Sequence, residues 1–244
     1  MTGHNRAMGN TWLVLAGFAV IVAVMLALTV RGAGQWRRQL DELLLPIGFT
    51  RCGADTDKAA IAQRLQVVNP RHAGKRLLMH LYRRDAPDGS HSIYVGDYRF
   101  ASAGGRTSGG NWVIIALVAP MLDLPHLAID GIPQDSALAS RLARALTDAL
   151  EMPGLQRVTT GDAGLDARFH AHADNAESSQ AILPAMLALL DAAGTAPSLD
   201  AQGDTLVLSS AAMIADRMRQ LLDNQKLQAQ LHLGQKLFQA LRRH

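Results

Sequence analysis

The stretch SIYVGDYRFA, residues 92–101, decides the fold class. Its side chains alternate with a period of two: Tyr94 and Tyr98 fall on one side of an extended chain, and Ile93 and Val95 fall on the other. Side chains of a β-strand point alternately to the two faces of a sheet, so this pattern predicts a strand with a packed aromatic side.

Two similar segments flank this strand, KRLLMHLYR at 75–83 and NWVIIALVA at 111–119. Turn-forming residues at 85–89 and glycines within 103–110 separate the three segments. Strands that follow one another through such short turns predict an antiparallel meander. The third segment is apolar on both sides, which is typical of a central strand covered on both faces.

Working outward, the same reading predicts further helices and strands. Helices are predicted at 55–65, at 136–150 and from 178 or 179 to 190, with Pro184 bending the last one or delaying its start. A strand is predicted at 168–173, a shorter one at 126–129, and a hairpin at 198–208. Residues 213–243 are predicted to form one long helix or two. This order favours an α+β fold, an antiparallel sheet packed with helices and followed by a long C-terminal helix.

The N-terminal part contains TWLVLAGFAVIVAVMLALTV, residues 11–30, which has no charge and no proline. A helix of this length rises about 30 Å, the thickness of the hydrocarbon core of a bilayer. A cleaved signal peptide has a shorter apolar region, and Arg31 interrupts any small-residue cleavage pattern. The segment is therefore predicted to be an uncleaved transmembrane helix.

The flanking charges predict the orientation. Arg31, Arg37 and Arg38 follow the segment and Arg6 precedes it, so the larger C-terminal part is expected in the cytoplasm of a bacterium, anchored to the inner membrane. The expected organisation is a tail at 1–10, a transmembrane helix at 11–30, a basic amphipathic juxtamembrane helix at 31–48, an α+β domain at 49–210 and a C-terminal helix at 211–244. Trp12 and Trp36 flank the span and suit its two interfaces.

Composition excludes some function classes. Residues 1–38 hold four of the 24 Lys and Arg and no acid, so the rest of the chain carries 20 basic and 21 acidic side chains. The net charge of +3 therefore comes from the membrane flank, and no basic field for nucleic acid remains. A single cysteine, Cys52, excludes an intramolecular disulfide framework.

Two groups of residues are weak candidates for chemistry. Asp123, His126 and Asp130 could form an acid–base group, although no nucleophile accompanies them. His170 and His172 share one face of a predicted strand and could chelate a metal, although further ligands are not evident. No cofactor is expected.

Four segments in a fixed order resemble a group of bacterial proteins that have one N-terminal span and a soluble α+β domain of unknown function. They are IYVGDYRF at 93–100, LDLPHLAIDG at 122–131, ARFHAHADN at 167–175 and DTLVLSS at 204–210. Val95 and Leu127 stand where that group has aromatic residues. The resemblance implies a topology and a membrane location, not an activity.

The expected function is a single-pass, non-catalytic binding or scaffold protein that contacts the bilayer through residues 11–30. The C-terminal helix could pack on its own sheet, or it could bind a partner protein or a second copy. One alternative is a membrane-tethered hydrolase or metal-dependent enzyme. Another is a regulatory domain that binds anionic lipid through Arg31, Arg37, Arg38 and the basic residues of 71–84.

Overall fold

The computed structural model describes residues 36–53, 56–68, 76–100, 112–132, 154–194, 197–210, 214–216 and 221–242. The apolar segment 11–30, the glycine-rich loop and the helix predicted at 136–150 lie outside these residues. Of the helices described, none combines the length and apolarity that a membrane crossing requires.

Five helices and eleven strands are described. The helices are α1 (described over residues 36–44 and continued by a 3₁₀ turn at Leu45–Ile47), α2 (Thr56–Val68), α3 (Ala163–Arg168), α4 (Ala176–Ala192) and α5 (Asn224–Leu241). The strands are β1 (Thr50–Arg51), β2 (Arg76–Asp85), β3 (Ser92–Phe100), β4 (Trp112–Val118), β5 (Leu124–Gly131), β6 (Gln156–Val158), β7 (Phe169–Ala173), β8 (Ser198–Gly203), β9 (Thr205–Ser210), β10 (Ile214–Asp216) and β11 (Leu221–Leu222).

Nine strands form one sheet in the order β1-β2-β3-β4-β9-β8-β5-β7-β6, and every neighbouring pair is antiparallel. The predicted meander is β2–β3–β4, and the predicted hairpin is β8–β9. The mixed α+β fold with a large antiparallel sheet is therefore confirmed.

The centre of the sheet is covered on both faces. In β4, Val113, Ile115 and Leu117 belong to one apolar cluster, whereas Ile114 and Ala116 belong to another. The first face packs against α1, α4 and α5, and the second packs against α2. This double coverage explains why the strand is apolar at every position.

Helix α4 lies on the first face. It begins at Ala176, eight residues before Pro184, so Pro184 does not delay its start. The side chain of Asn175 caps it by accepting hydrogen bonds from the backbone N–H groups of Glu177 and Ser178, at 2.9 and 3.2 Å. Pro184 lies inside the helix and is exposed, while Leu183 next to it is fully buried.

Helix α1 is part of the same core. Trp36, Leu40 and Leu44 are at most 1% exposed and pack with residues of the sheet. The sequence placed Trp36 at a membrane interface; its side chain instead lies inside the protein. Positions 36, 40 and 44 share one side of a helix, and that side faces the sheet.

The prediction of one long helix or two over 213–243 is wrong for the first third of that range, up to Asp223. Strands β10 and β11 pair with each other in a small antiparallel ribbon, and α5 begins only after Asp223. The Asp223 carboxylate accepts a hydrogen bond of 3.1 Å from the backbone N–H of Lys226, which caps the helix there. From this point the apolar residues of α5, among them Leu227, Leu231 and Phe238, are buried in the core.

Candidate functional site

A set of polar side chains lies on the second face of the sheet, on strands β5, β7 and β8. In β7, Phe169, Ala171 and Ala173 point into the core on the first face. His170 and His172 therefore occupy the second face, as the sequence pattern predicted for a pair with a one-residue gap.

The pairing of β5 with β7 brings together residues that the sequence assigned to two separate groups. Asp130 and His170 are directly opposite each other, and Ser198 of β8 is opposite Asp130 on its other side. Opposite residues in antiparallel strands have Cβ atoms about 5 Å apart. A carboxyl group, an imidazole and a hydroxyl thus form one row across three strands.

A second row contains an acid that the sequence reading missed. Ala128 is opposite His172 on one side and opposite Asp200 on the other. Asp200 is only 2% exposed. The alternation of Leu199 and Ala201, both core residues, places Asp200 on the polar face, so this residue could have been found from the predicted hairpin. Ala128, between the imidazole and the carboxyl group, is itself fully buried.

The other candidates lie away from these rows. The His126 Nε2 atom is 3.2 Å from the backbone carbonyl oxygen of Val68, at the end of α2. Asp123 is exposed in the turn before β5. Asp130 lies four positions after His126 along the strand, a distance of about 13 Å, so the side chains of Asp123, His126 and Asp130 do not form a single group.

The same part of the chain offers no ready metal centre. Among the described residues, no group of three or more His, Cys, Asp or Glu side chains is arranged to hold a metal ion. His170 and His172 thus remain a two-residue candidate.

A second Asp–His pair lies on the first face of the sheet. The Oδ1 atom of Asp97 accepts hydrogen bonds from the backbone N–H of His80 at 3.0 Å and is 2.9 Å from the His80 Nδ1 atom. The Asp97 side chain is 1% exposed, and its Oδ2 atom has no hydrogen-bond partner among the described residues. The contact orients the imidazole, but it lies beside the apolar core rather than in a described cleft.

A third polar cluster fastens α1 to the sheet. Arg51 donates two hydrogen bonds to the Asp41 carboxylate, at 2.6 and 2.5 Å, and the Tyr82 hydroxyl donates a third at 2.7 Å. The bonds from Arg51, helped by Tyr82, lower the pKa of the Asp41 carboxyl below its usual value although burial opposes this. Burial and the neighbouring Asp41 raise the pKa of the Tyr82 hydroxyl well above its ordinary value. The cluster is suited to structure rather than to proton transfer near neutral pH.

The basic residues of 71–84 whose side chains are described are engaged within the protein. Arg83 forms an ion pair of 2.7 Å with Asp85. Arg84 stacks on the Phe49 ring at 4.7 Å and donates a hydrogen bond of 3.1 Å to the Ile47 carbonyl oxygen. Arg37 and Arg38 are exposed on the described part of α1.

Comparison with protein-family models, with curated proteins and with solved structures gives no match in any of the three.

Proposed function

We propose that this chain is a single-pass protein of the bacterial inner membrane whose folded domain binds a partner protein and performs no catalysis of its own. The observation that carries the proposal is the position of α1. The described part of this helix starts at residue 36, six positions after the end of the apolar segment 11–30, and is built into the core of the domain.

The link between the apolar segment and the domain is short. Five residues, 31–35, separate them, and a fully extended chain of five residues spans about 18 Å. Helix α1 is then held from several sides: Asp41 contacts β1 and β2 through Arg51 and Tyr82, and the Gln39 side-chain oxygen accepts a hydrogen bond of 2.9 Å from the backbone N–H of Leu222. A domain attached in this way stays close to the bilayer surface and has a restricted orientation.

The partner would contact the outward side of α5. The apolar side of this helix is occupied by the chain's own core, so it is not free to bind another helix. The outward side carries Gln225, Gln228, His232 and Gln239, all exposed. Such a polar face, with few charges, suits contacts made by hydrogen bonds rather than by apolar burial.

Carbonate extraction of membranes tests the anchoring. The full chain should remain in the pellet, and a chain that lacks residues 11–30 should move to the supernatant. Recovery of the full chain in the supernatant would contradict the proposal. Orientation is tested with C-terminal reporters: a fluorescent protein should be active and alkaline phosphatase inactive, because the first folds in the cytoplasm and the second needs disulfides.

Cross-linking in intact membranes tests the binding. Gln228→Glu together with His232→Glu should reduce a specific cross-linked species, because the two carboxylates add charge to the contact face. Gln156→Glu together with Gln180→Glu, two exposed residues outside α5, adds the same charge and serves as the comparison. A wild-type chain that gives no cross-linked species with a partner or with itself would count against a binding role.

A second candidate function is a membrane-tethered hydrolase, favoured by the direct opposition of Asp130 and His170. An acid opposite an imidazole, with Ser198 in the same row, provides groups for general acid–base chemistry. A screen with ester, amide and phosphate substrates tests this candidate. Turnover that is lost in Asp130→Asn and in His170→Gln, and kept in Asp123→Asn, would favour the enzyme over the binding protein.

A further inference from the structure

A cleft lies between helix α2 and the tight turn that joins β8 to β9. Its volume is about 410 Å³, within the range typical of small-molecule sites. Polar side chains predominate among the residues that line it, which include Gln63, Arg64, Val68, Gln202, Asp204 and Thr205. None of the residues that line it belongs to the rows of Asp130 and Asp200, although Gln202 lies two positions after Asp200 on the same face of β8.

Arg64 has hydrogen-bonding capacity that its protein contacts do not use. Its Nη1 atom donates to the Asp204 carboxylate and, at 3.3 Å, to the Thr205 hydroxyl. Its Nε and Nη2 atoms have no acceptor in the described part of the chain. These two atoms form one edge of the planar guanidinium group, which matches the two oxygens of a carboxylate.

Asp204 limits the charge of a suitable ligand. Burial works against its negative charge, but hydrogen bonds from Arg64 and Thr205 prevail and lower the pKa of the Asp204 carboxyl. The carboxylate therefore balances the Arg64 charge at neutral pH. A cleft without net charge favours a monoanion held by directional hydrogen bonds over a dianion drawn by a positive field.

Gln202 adds a second anchoring group. Its side-chain oxygen is closed to solvent and has no hydrogen-bond partner among the described residues. Buried polar atoms without a partner are uncommon and often mark a site where another molecule completes the hydrogen bonding. Rotation of the terminal amide turns either its oxygen or its NH₂ group toward the cleft, so the group can pair with a ligand hydroxyl or amide.

We infer that this cleft binds a small monoanionic carboxylate that carries an adjacent amide or hydroxyl group. The carboxylate contacts the Nε and Nη2 edge of Arg64, and the neighbouring polar group contacts Gln202. The inference goes beyond the proposed anchoring and does not depend on it, because every residue of the site lies inside the folded domain.

Saturation-transfer NMR titrations of the full chain in detergent micelles test the site with N-acetylglycine, which has a carboxylate next to an amide. We expect saturable binding in the millimolar range, as for a ligand of this size. N-acetylglycinamide, which lacks the charge, should bind at least tenfold more weakly. Inorganic phosphate, added as a competitor at pH 8.5 where it is almost entirely a dianion, should displace N-acetylglycine only at a concentration at least tenfold higher than unlabelled N-acetylglycine requires. Equal binding of either compound would overturn the inference.

Single substitutions test whether Arg64 and Gln202 bind the ligand. Arg64→Lys keeps a charge beside Asp204 but loses the planar edge, and it should weaken binding about tenfold. Gln202→Met keeps the side-chain length without the amide and should weaken binding several-fold. Arg168→Lys is the matched control, since Arg168 pairs with Asp191 at nearly the same exposure (42% and 33%, against 43% and 31% for Arg64 and Asp204). Equal affinities of Arg64→Lys and Arg168→Lys, with unchanged thermal midpoints, would refute the assignment.

Discussion

Replacement of Trp36 tests whether α1 belongs to the core of the domain. The side chain is 1% exposed and packs in the main apolar cluster. Removal of a buried tryptophan side chain costs about 3–5 kcal/mol, because apolar contacts are lost and a cavity remains. We therefore expect Trp36→Ala to lower the free energy of unfolding of the domain by about that amount. A tryptophan in the headgroup region would have almost no effect on the domain.

Urea unfolding of the full chain in detergent, followed by pulse proteolysis, measures this free energy. Trp12→Ala is the control on the other side of the apolar segment and should leave the domain unchanged. Trp36→Phe should cost less than about 2 kcal/mol, because it keeps most of the ring and removes an indole N–H that has no hydrogen-bond partner among the described residues. Equal effects of Trp36→Ala and Trp12→Ala, or a loss below about 1 kcal/mol, would refute the burial of α1.

Three further changes test the packing and the electrostatics of the sheet. His80→Ala should destabilise the domain by about 1–3 kcal/mol, measured by the same unfolding assay, because the buried Asp97 carboxylate loses its contact with the imidazole and keeps only the hydrogen bond from the backbone N–H of residue 80. Asp97→Asn in the same background should recover part of the loss. Burial, only partly opposed by the negative charge of Asp88, lowers the pKa of His91, so the His91 imidazole binds a proton more tightly in the unfolded chain than in the folded one. The free energy of unfolding should therefore fall as the pH drops below about 6.5, and His91→Gln should show a smaller fall between pH 7.5 and 5.5. Gly96→Ala should cost about 1–3 kcal/mol, because the new Cβ would lie 3.1 Å from the His80 carbonyl oxygen, whereas Gly53→Ala, which meets nothing within 4 Å, should leave the thermal midpoint nearly unchanged.

The strands could be predicted because their signals are local. Alternation in β3, continuous apolarity in β4 and the turn between β8 and β9 are each contained in about ten residues. The ribbon of β10 and β11 could not be predicted, because its local signal is too short. Two strands of three and two residues offer too little periodicity to interrupt an apolar pattern that also fits a helix.

The candidate site could be predicted only in its parts. His170 and His172 are neighbours in sequence, and their common face follows from the geometry of one strand. The opposition of Asp130 and His170 joins residues 40 positions apart, and it depends on which strands pair and in which register. Register is a property of the whole sheet, so a reading of one segment at a time cannot supply it.

The sequence of helix α1 predicts which side is apolar but not what that side contacts. Positions 36, 40 and 44 define an apolar side, and this follows from helical spacing alone. Lipid tails and a protein core are similarly apolar, so the spacing does not tell which of the two receives that side. The position of Arg37 and Arg38 adds the missing constraint. Both are exposed while Trp36 beside them is buried, so they can face lipid headgroups without withdrawing any residue from the core. If residues 11–30 span the membrane, attachment to the bilayer and folding of the domain therefore use different sides of one helix, so α1 can lie at the bilayer surface and stay packed in the core.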